Sequence, residues 1–200
     1  MKAIQMTEQG TPDVLRLVDL PDPVPGPGQV LVRVDAAAVN FSDVMRRRGD
    51  VYPVPTPSPF VPGAEVAGTV AVVGAGVDNF GVGAPVFGTV GADASGGYAE
   101  LALAYAGSLL PIPGGLEPDA AAGIVVSGLA ATVLLSKVTR LAPGETVFVP
   151  AAAGGVGSYA VQIAELMGAG TIIAAAILTS DGAAALTGQV LCADGGLVLR

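Results

Sequence analysis

The sequence predicts two structural parts of different class: an antiparallel β domain, a barrel or a sandwich, followed by a truncated parallel βαβ unit of the α/β class. Short β-rich runs between turn residues extend from Met1 to about Tyr105. All 16 prolines lie at or before Pro150, so the composition changes there. From Thr146 onward, a strand, a glycine-rich turn, a helix and a second strand follow one another.

Three apolar runs carry the prediction of the β domain. Each is bounded by turn residues such as PDPVPGPG or FVPG, and each is rich in the branched side chains that favour strands. The runs are QVLVRVDAAAV, EVAGTVAVVGAGV and APVFGTV. We expect them to pair as neighbouring antiparallel strands.

A helix is predicted over Pro118 to Leu141. Its central part, Ala120 to Ser136, carries no charge, which raises the question of a membrane span. The uncharged stretch is shorter than the roughly 20 apolar residues that cross a bilayer. We therefore expect a buried helix and no membrane partner.

The βαβ unit begins after the turn Pro143-Gly144-Glu145, with a buried strand over Thr146 to Pro150. Apolar residues at helical spacing then predict a helix: Val156, Tyr159, Ala160, Ile163 and Leu166. The run TIIAAAIL is the second strand candidate. A right-handed crossover should join the two strands.

Charge and composition exclude several function classes. The net charge of -8 makes nucleic acid and anionic membranes poor partners. The sequence has no histidine, and Cys192 is its single cysteine, so a histidine base, a Cys/His zinc site and a disulfide framework are excluded. The N-terminal residues lack a signal peptide's apolar region, so we expect a cytoplasmic protein.

The segment Ala151 to Gly157 has the pattern A-x-x-G-G-V-G and lies between the predicted strand and helix. Gly154 and Gly155 would let the backbone approach a pyrophosphate, and Gly157 would let the helix pack closely on the strand. The alternative is an ordinary tight turn. The strand before it and the helix after it favour a dinucleotide site.

Six segments occur in the order found in a known family: AAAVNFSDVMRRRGDVY, PFVPGAEVAGTVAVVGAGV, GGYAELA, LPIPGGLEPDAAA, LAPGETVFV and AAAGGVGSYAVQIAELMGA. Over about residues 1–175 the chain resembles the zinc-independent quinone oxidoreductase branch of the medium-chain dehydrogenase/reductase family. The resemblance implies a GroES-like barrel domain over residues 1–118 and a truncated Rossmann-like domain over residues 119–200.

The resemblance also implies the chemistry and the cofactor. Gly154, Gly155, Val156 and Gly157 would bind NADPH, and hydride would pass from it to a quinone or an activated enone. NADH is not excluded. A charged residue after the second strand would distinguish the ribose 2′-hydroxyl of NADH from the 2′-phosphate of NADPH, and the uncharged Ala174 to Ala176 stand there instead.

Zinc is not expected in this branch. Zinc-dependent relatives have a Cys-His pair and a His-Glu pair where this chain has Asn40-Phe41 and Ala64-Glu65. Glu65 alone cannot hold a catalytic zinc, which needs about three protein ligands.

By resemblance, Asn40, Asp43 and Tyr52 line the catalytic cleft. For each, a structural role is the alternative: a turn residue for Asn40, a helix cap or ion pair for Asp43, and loop packing for Tyr52. The run Arg46 to Arg48 could meet a phosphate, but we expect a solvated charged face.

One residue departs from the family pattern near the cofactor. The family has Gly-Leu-Thr-Ala where this chain has Gly128 to Ala131 with alanine in place of the threonine. Thr132 is the candidate that replaces the missing hydroxyl, provided the register shifts.

The sequence ends in ILTSDGAAALTGQVLCADGGLVLR, in which a Ser-Asp start, the run TGQVL and a DGG turn follow one another. From about residue 176 the chain therefore resembles the C-terminus of short-chain dehydrogenases, with a strand predicted over Gln189 to Ala193. The stretch from Pro143 to Arg200 is less than half of the roughly 125 residues of a six-stranded Rossmann domain. Exposed sheet edges would favour homo-oligomers.

Three functions are compatible with this sequence. The first is a zinc-independent quinone or enone reductase, and the second is an inactive remnant that serves as a binding module. A short-chain carbonyl reductase ranks last, because Val133 stands four residues before Lys137 and no Tyr-x-x-x-Lys pair exists.

Overall fold

A computed structural model describes residues 1–175, which divide into two compact units, Met1–Val126 and a second that begins at Ser127. The strands of the first unit are β1 (Lys2–Gln5), β2 (Arg16–Asp19), β3 (Gln29–Ala37), β4 (Glu65–Val73), β5 (Pro85–Thr89), β6 (Leu101–Tyr105) and β7 (Leu109–Pro111). Its helices are α1 (Phe41–Arg48) and α2 (Pro118–Ala122), with 3-10 turns at Pro12–Val14 and Ala106–Ser108.

The first unit is built on a five-stranded antiparallel sheet in the order β6-β3-β4-β5-β7, and β1 and β2 form a separate antiparallel pair. The three predicted apolar runs form β3, β4 and β5, which confirms the prediction. Valine side chains of these strands supply much of the core: Val30, Val32, Val66, Val70 and Val86. The register of β3 against β4 shifts twice, after Leu31 and after Val34.

The helix predicted over Pro118 to Leu141 is interrupted. α2 ends at Ala122, with Gly123 as its C-terminal cap. One further residue, Ile124, separates this cap from α3 (Val125–Val133). A turn of π-helix, Leu134–Val138, follows. In the part of the chain described, none of the helices combines the length and the apolar character that crossing a membrane requires.

The second unit contains the predicted βαβ arrangement. Strands β8 (Thr146–Pro150) and β9 (Thr171–Ala175) are parallel neighbours, joined by α4 (Gly155–Leu166). Small residues face the core, with Ala160 and Ala164 buried against Val149 and Leu135. The predicted helix is confirmed, although two of the apolar residues that predicted it, Val156 at 38% and Leu166 at 86%, are exposed.

The end of the second strand candidate, Ile177-Leu178, and the predicted tail strand, Gln189 to Ala193, lie outside the described residues. The same holds for Cys192.

Candidate functional site

Asn40 and Asp43 lie together at the N-terminus of α1, which begins at Phe41. The Asn40 N–H donates to Asp43 Oδ2 at 2.9 Å, and the Asp43 N–H donates to the Asn40 carbonyl oxygen at 3.0 Å. An Asn-x-x-Asp sequence suits this position, because the carboxylate three residues on reaches back to the residue that precedes the helix.

Asp43 is buried, and both of its carboxylate oxygens accept hydrogen bonds. Besides Asn40, the Gly63 N–H donates to Oδ1 at 3.0 Å, and the Tyr98 hydroxyl donates to Oδ2 at 2.9 Å. This network supports the helix-capping alternative for Asp43. A direct catalytic role for Asp43 remains a prediction.

The Tyr98 hydroxyl has a raised pKa. Burial raises it most, and the negative charge of Asp43 and the hydrogen bond to that carboxylate raise it further. Tyr98 therefore keeps its proton in the folded protein at pH values where a free tyrosine ionises. It serves as a stable donor to Asp43.

This shift predicts a pH dependence of stability. The unfolded chain loses the Tyr98 proton near pH 10, before the folded chain does, so the free energy of unfolding should fall as pH rises above about 10. Tyr98→Phe should be less stable by about 1 kcal/mol at pH 7 and lack this additional fall. Urea unfolding at several pH values tests this, with Tyr105→Phe as the exposed control, and parallel curves for Tyr98→Phe and wild type would contradict it.

Arg46 lies one turn along α1 from Asp43 and is 1% exposed. Its Nε donates to Thr56 Oγ1 at 3.2 Å. Nη1 donates to the carbonyl oxygens of Asp93 at 2.8 Å and Ala94 at 3.2 Å, and Nη2 donates to the Pro55 carbonyl oxygen at 3.2 Å and to Asp93 Oδ2 at 3.3 Å. These five bonds match the five N–H groups of a guanidinium. Arg46 thus ties two loops to α1.

The expectation of a solvated arginine face, and the phosphate-binding alternative, are wrong for Arg46. Its charged group stacks on the ring of Phe60, 4.1 Å from the centroid, and on the ring of Tyr52 at 5.4 Å. Arg48 is exposed as expected, while Arg47 donates to the Gly10 carbonyl oxygen. Tyr52 thus contacts α1 through the side chain of Arg46. Its catalytic role remains a prediction.

The carboxylate of Asp93 has a lowered pKa. Partial burial alone would raise it, but hydrogen bonds from Ser95 and Arg46 and the positive charge of Arg46 outweigh that effect. The ion pair between Arg46 and Asp93 therefore persists at neutral pH.

Glu65, the first residue of β4, is 1% exposed. The Asn40 Nδ2 donates to its Oε1 at 3.1 Å, and the Val126 N–H donates to its Oε2 at 2.8 Å. From the sequence alone, Glu65 stands out only as an insufficient zinc ligand. A carboxylate at the start of a buried apolar strand was the available signal, since such a charge needs partners.

The glycine-rich turn lies in the second unit, between β8 and α4. Gly154 precedes the helix and its N–H donates to the Ala151 carbonyl oxygen at 2.9 Å. Gly155, Val156 and Gly157 form the first turn of α4, where N–H groups have no acceptor within the helix. Such a helix end attracts an anionic group.

Gly157 shows why this turn requires a residue without a side chain. A Cβ atom placed there would lie 2.2 Å from the Ala151 carbonyl oxygen and 2.8 Å from the Ala152 Cα. Both neighbours are main-chain atoms, which cannot move aside as a flexible side chain does. The first turn of α4 therefore packs directly against the backbone that leaves β8.

Thr132 lies in the same unit, on α3. Its hydroxyl donates to the Gly128 carbonyl oxygen at 2.8 Å, one turn back along the helix. This bond occupies the hydroxyl proton, so Thr132 could only accept from a ligand while the bond is kept. Its cofactor-binding role remains a prediction.

A cavity of about 400 Å³ lies beside the glycine-rich turn. Among residues 1–175, its lining includes Leu135, Phe148, Pro150, Gly154 and Gly157, and Thr139 is the one polar side chain. The volume falls within the range of small-molecule sites, which are mostly apolar with few polar groups.

Comparison with known proteins agrees with this arrangement. Residues 26–114 match the alcohol dehydrogenase GroES-like domain. A domain of this kind, followed by a parallel βαβ unit with a glycine-rich first turn, defines the medium-chain dehydrogenase/reductase class. The chain is similar to proteins of this class that are named quinone oxidoreductases.

The individual relatives show the extent of this similarity. The chain is 39% identical to a quinone oxidoreductase of Pseudomonas aeruginosa, over 84% of this chain and 50% of the relative, and 41% identical to one of Lama guanicoe, over 82% and 49%. The structure of Escherichia coli quinone oxidoreductase complexed with NADPH matches with a TM-score of 0.79 at 31% identity, over 87% of this chain and 52% of that one. The chain spans about half the length of the curated relatives it matches.

Proposed function

We propose that this chain carries the substrate domain and the start of the cofactor domain of a zinc-independent oxidoreductase. The enzyme transfers hydride from NADPH to a quinone or an activated enone. One observation carries the proposal. At the N-terminus of α4, Gly157 lies so close to the backbone after β8 that a Cβ atom placed there would be 2.2 Å from the Ala151 carbonyl oxygen. The relatives named as quinone oxidoreductases supply the reaction class.

The residues of the turn fit a dinucleotide. Gly154 and Gly155 leave the turn without side chains, and the first N–H groups of α4 offer donors and a positive dipole end to a pyrophosphate. Val156 and Gly157 complete this first turn. When bound, the nicotinamide supplies the hydride, and the protein contributes position and electrostatics.

In the first unit, Asn40, Asp43 and Tyr52 are the proposed catalytic group. Asp43 and Glu65 hold Asn40 from two sides, through its main-chain N–H and its side-chain amide. An amide held in this way is oriented before a ligand arrives, which reduces the cost of binding. Tyr52 is held in place by its contact with Arg46.

Zinc independence is part of the proposal. Residues 1–175 contain no group of three or more His, Cys, Asp or Glu side chains placed to share a metal ion. Both oxygens of Glu65 are already engaged by N–H donors. NADPH over NADH and a quinone substrate are proposed on the family resemblance. A cytoplasmic location is proposed because a single cysteine fits a reducing compartment, and a homo-oligomer because exposed sheet edges favour pairing with a second copy.

Cofactor oxidation tests the proposed activity. We expect the protein to oxidise NADPH only when 1,4-benzoquinone is present, with a rate that saturates in both compounds and is unchanged by a metal chelator. The absorbance of NADPH gives the rate. The alternative, an inactive remnant, predicts no quinone-dependent oxidation at millimolar NADPH, and the comparisons do not favour it.

A further inference from the structure

The segment from Val51 to Pro59, which we call the proline segment, has few ways to hold itself against the rest of the first unit. Four of its nine residues are proline, and a proline has no N–H to donate. Within residues 1–175, none of its main-chain groups bonds to another main-chain group. Because the proline segment contains Tyr52, the position of that ring depends on side-chain contacts.

Arg46 supplies such contacts at three places in the proline segment. Its Nη2 donates to the Pro55 carbonyl oxygen and its Nε donates to Thr56 Oγ1, both at 3.2 Å. Its Cζ lies over the Tyr52 ring, 5.4 Å from the centroid. Among the described residues, one further hydrogen bond, from an exposed serine near its end, ties the segment. Arg46 is therefore its main anchor.

Arg46 is itself held on its other side. Its Nη1 donates to the carbonyl oxygens of Asp93 and Ala94, and its Nη2 also donates to the Asp93 carboxylate. At 1% exposure, little water competes for these bonds. A planar guanidinium whose five donors are all engaged has little freedom to move, so it can hold a neighbouring ring in one place.

We propose that Arg46 is a positioning residue that fixes Tyr52 as an aromatic surface on which a planar quinone stacks. The inference rests on the proposed function, because it takes Tyr52 as part of the substrate site. Tyr52 is half-buried, so part of it stays accessible to a ligand. Stacked rings adopt a defined offset, and a ring that is held before binding costs less to order. An acyclic enone has no ring to stack and gains little from this surface.

Quinone binding to the full chain tests the inference. The probe is tetramethyl-1,4-benzoquinone, whose fully substituted ring does not add to thiols, and NMR of protein with 13C-labelled tyrosine follows the Tyr52 ring. We expect its signals in wild type to shift in a saturable manner, and 4-methyl-3-penten-2-one, an acyclic enone, to leave them in place. In Arg46→Lys, which keeps the charge but not the planar donors, the quinone Kd should rise about fivefold.

Two comparisons separate positioning from a general loss of structure. The Kd of Arg46→Lys for NADPH should stay within about twofold of wild type, because the glycine-rich turn lies in the second unit. Tyr52→Leu should raise the quinone Kd about tenfold, and adding Arg46→Lys to it should cause no further loss, since Arg46 acts through Tyr52. Arg48→Lys, at an exposed position, is the matched control and should bind the quinone as wild type does.

Thr56→Val is a milder second variant, for use if Arg46→Lys does not fold. It removes only the acceptor of the Arg46 Nε, and the quinone Kd should rise about threefold. A folded Arg46→Lys or Thr56→Val protein that binds the quinone like wild type would overturn the inference. So would losses that multiply in the double variant, or an equal shift of the Tyr52 signals by the enone.

The same titration separates this inference from the proposed function. If the quinone shifts the Tyr52 signals of wild type but NADPH is not oxidised, the proposed reaction fails and the inference stands. If the quinone leaves the Tyr52 signals in place, the inference fails even when NADPH is oxidised.

Discussion

Replacing Gly157 with alanine is expected to weaken NADPH binding by about 100-fold. The new methyl group would lie 2.2 Å from the Ala151 carbonyl oxygen, so the first turn of α4 and the backbone after β8 must separate. Losing one N–H hydrogen bond to a charged pyrophosphate costs about 1.5–3 kcal/mol, which corresponds to about 100-fold in Kd near the upper end of that range. Overpacking of this kind also costs about 1–3 kcal/mol of stability.

Two other glycines supply graded controls for this prediction. Gly155→Ala would meet the Ser127 Oγ at 3.0 Å, the tip of a side chain that can rotate away, so its effect should be smaller. Gly107→Ala has open space around it and should bind NADPH like wild type. Nicotinamide fluorescence measures the Kd, and urea unfolding confirms that each variant is folded. Wild-type affinity in a folded Gly157→Ala protein would argue that the nucleotide binds elsewhere.

Replacing Arg46 with alanine is expected to destabilise the first unit by about 3–5 kcal/mol, because it removes a large buried side chain together with its hydrogen bonds. The substitution leaves the carbonyl oxygens of Pro55, Asp93 and Ala94 without their donor. It also removes the cation that stacks on Tyr52 and Phe60. The loss should appear as a lower urea midpoint with little change in slope.

Two further variants separate geometry from charge. Arg46→Lys keeps the positive charge but not the planar five-donor group, and we expect it to lose about 2 kcal/mol. Arg48→Ala, two residues along at an exposed position, should stay within about 0.5 kcal/mol of wild type. An Arg46→Ala protein as stable as Arg48→Ala would mean that the Arg46 network contributes nothing to the fold.

Local patterns in the sequence predicted much of the fold. The sequence reveals β3, β4 and β5 as apolar runs between turn residues. It also reveals the strand, turn, helix and strand of the second unit, because apolar residues in these elements form short runs or recur at helical spacing. The close packing at Gly157 was predicted from the glycine-rich motif between the predicted strand and the predicted helix. The interruption at Gly123 was missed, because the composition on both sides of it is equally apolar.

The network around α1 could not be predicted from local patterns. Arg46 bonds to Asp93, 47 positions away, and Glu65 bonds to Val126, 61 positions away. In a run of three arginines, the local signal that sets Arg46 apart is its position three residues after Asp43, which places both on one helix face.

NADPH binding at the glycine-rich turn tests the central claim most directly. With 15N-labelled protein, we expect NADPH to shift the amide signals of Gly154, Gly155, Val156 and Gly157 in a saturable manner, with Gly107 unchanged. A titration to millimolar NADPH that leaves these four signals in place would contradict the account.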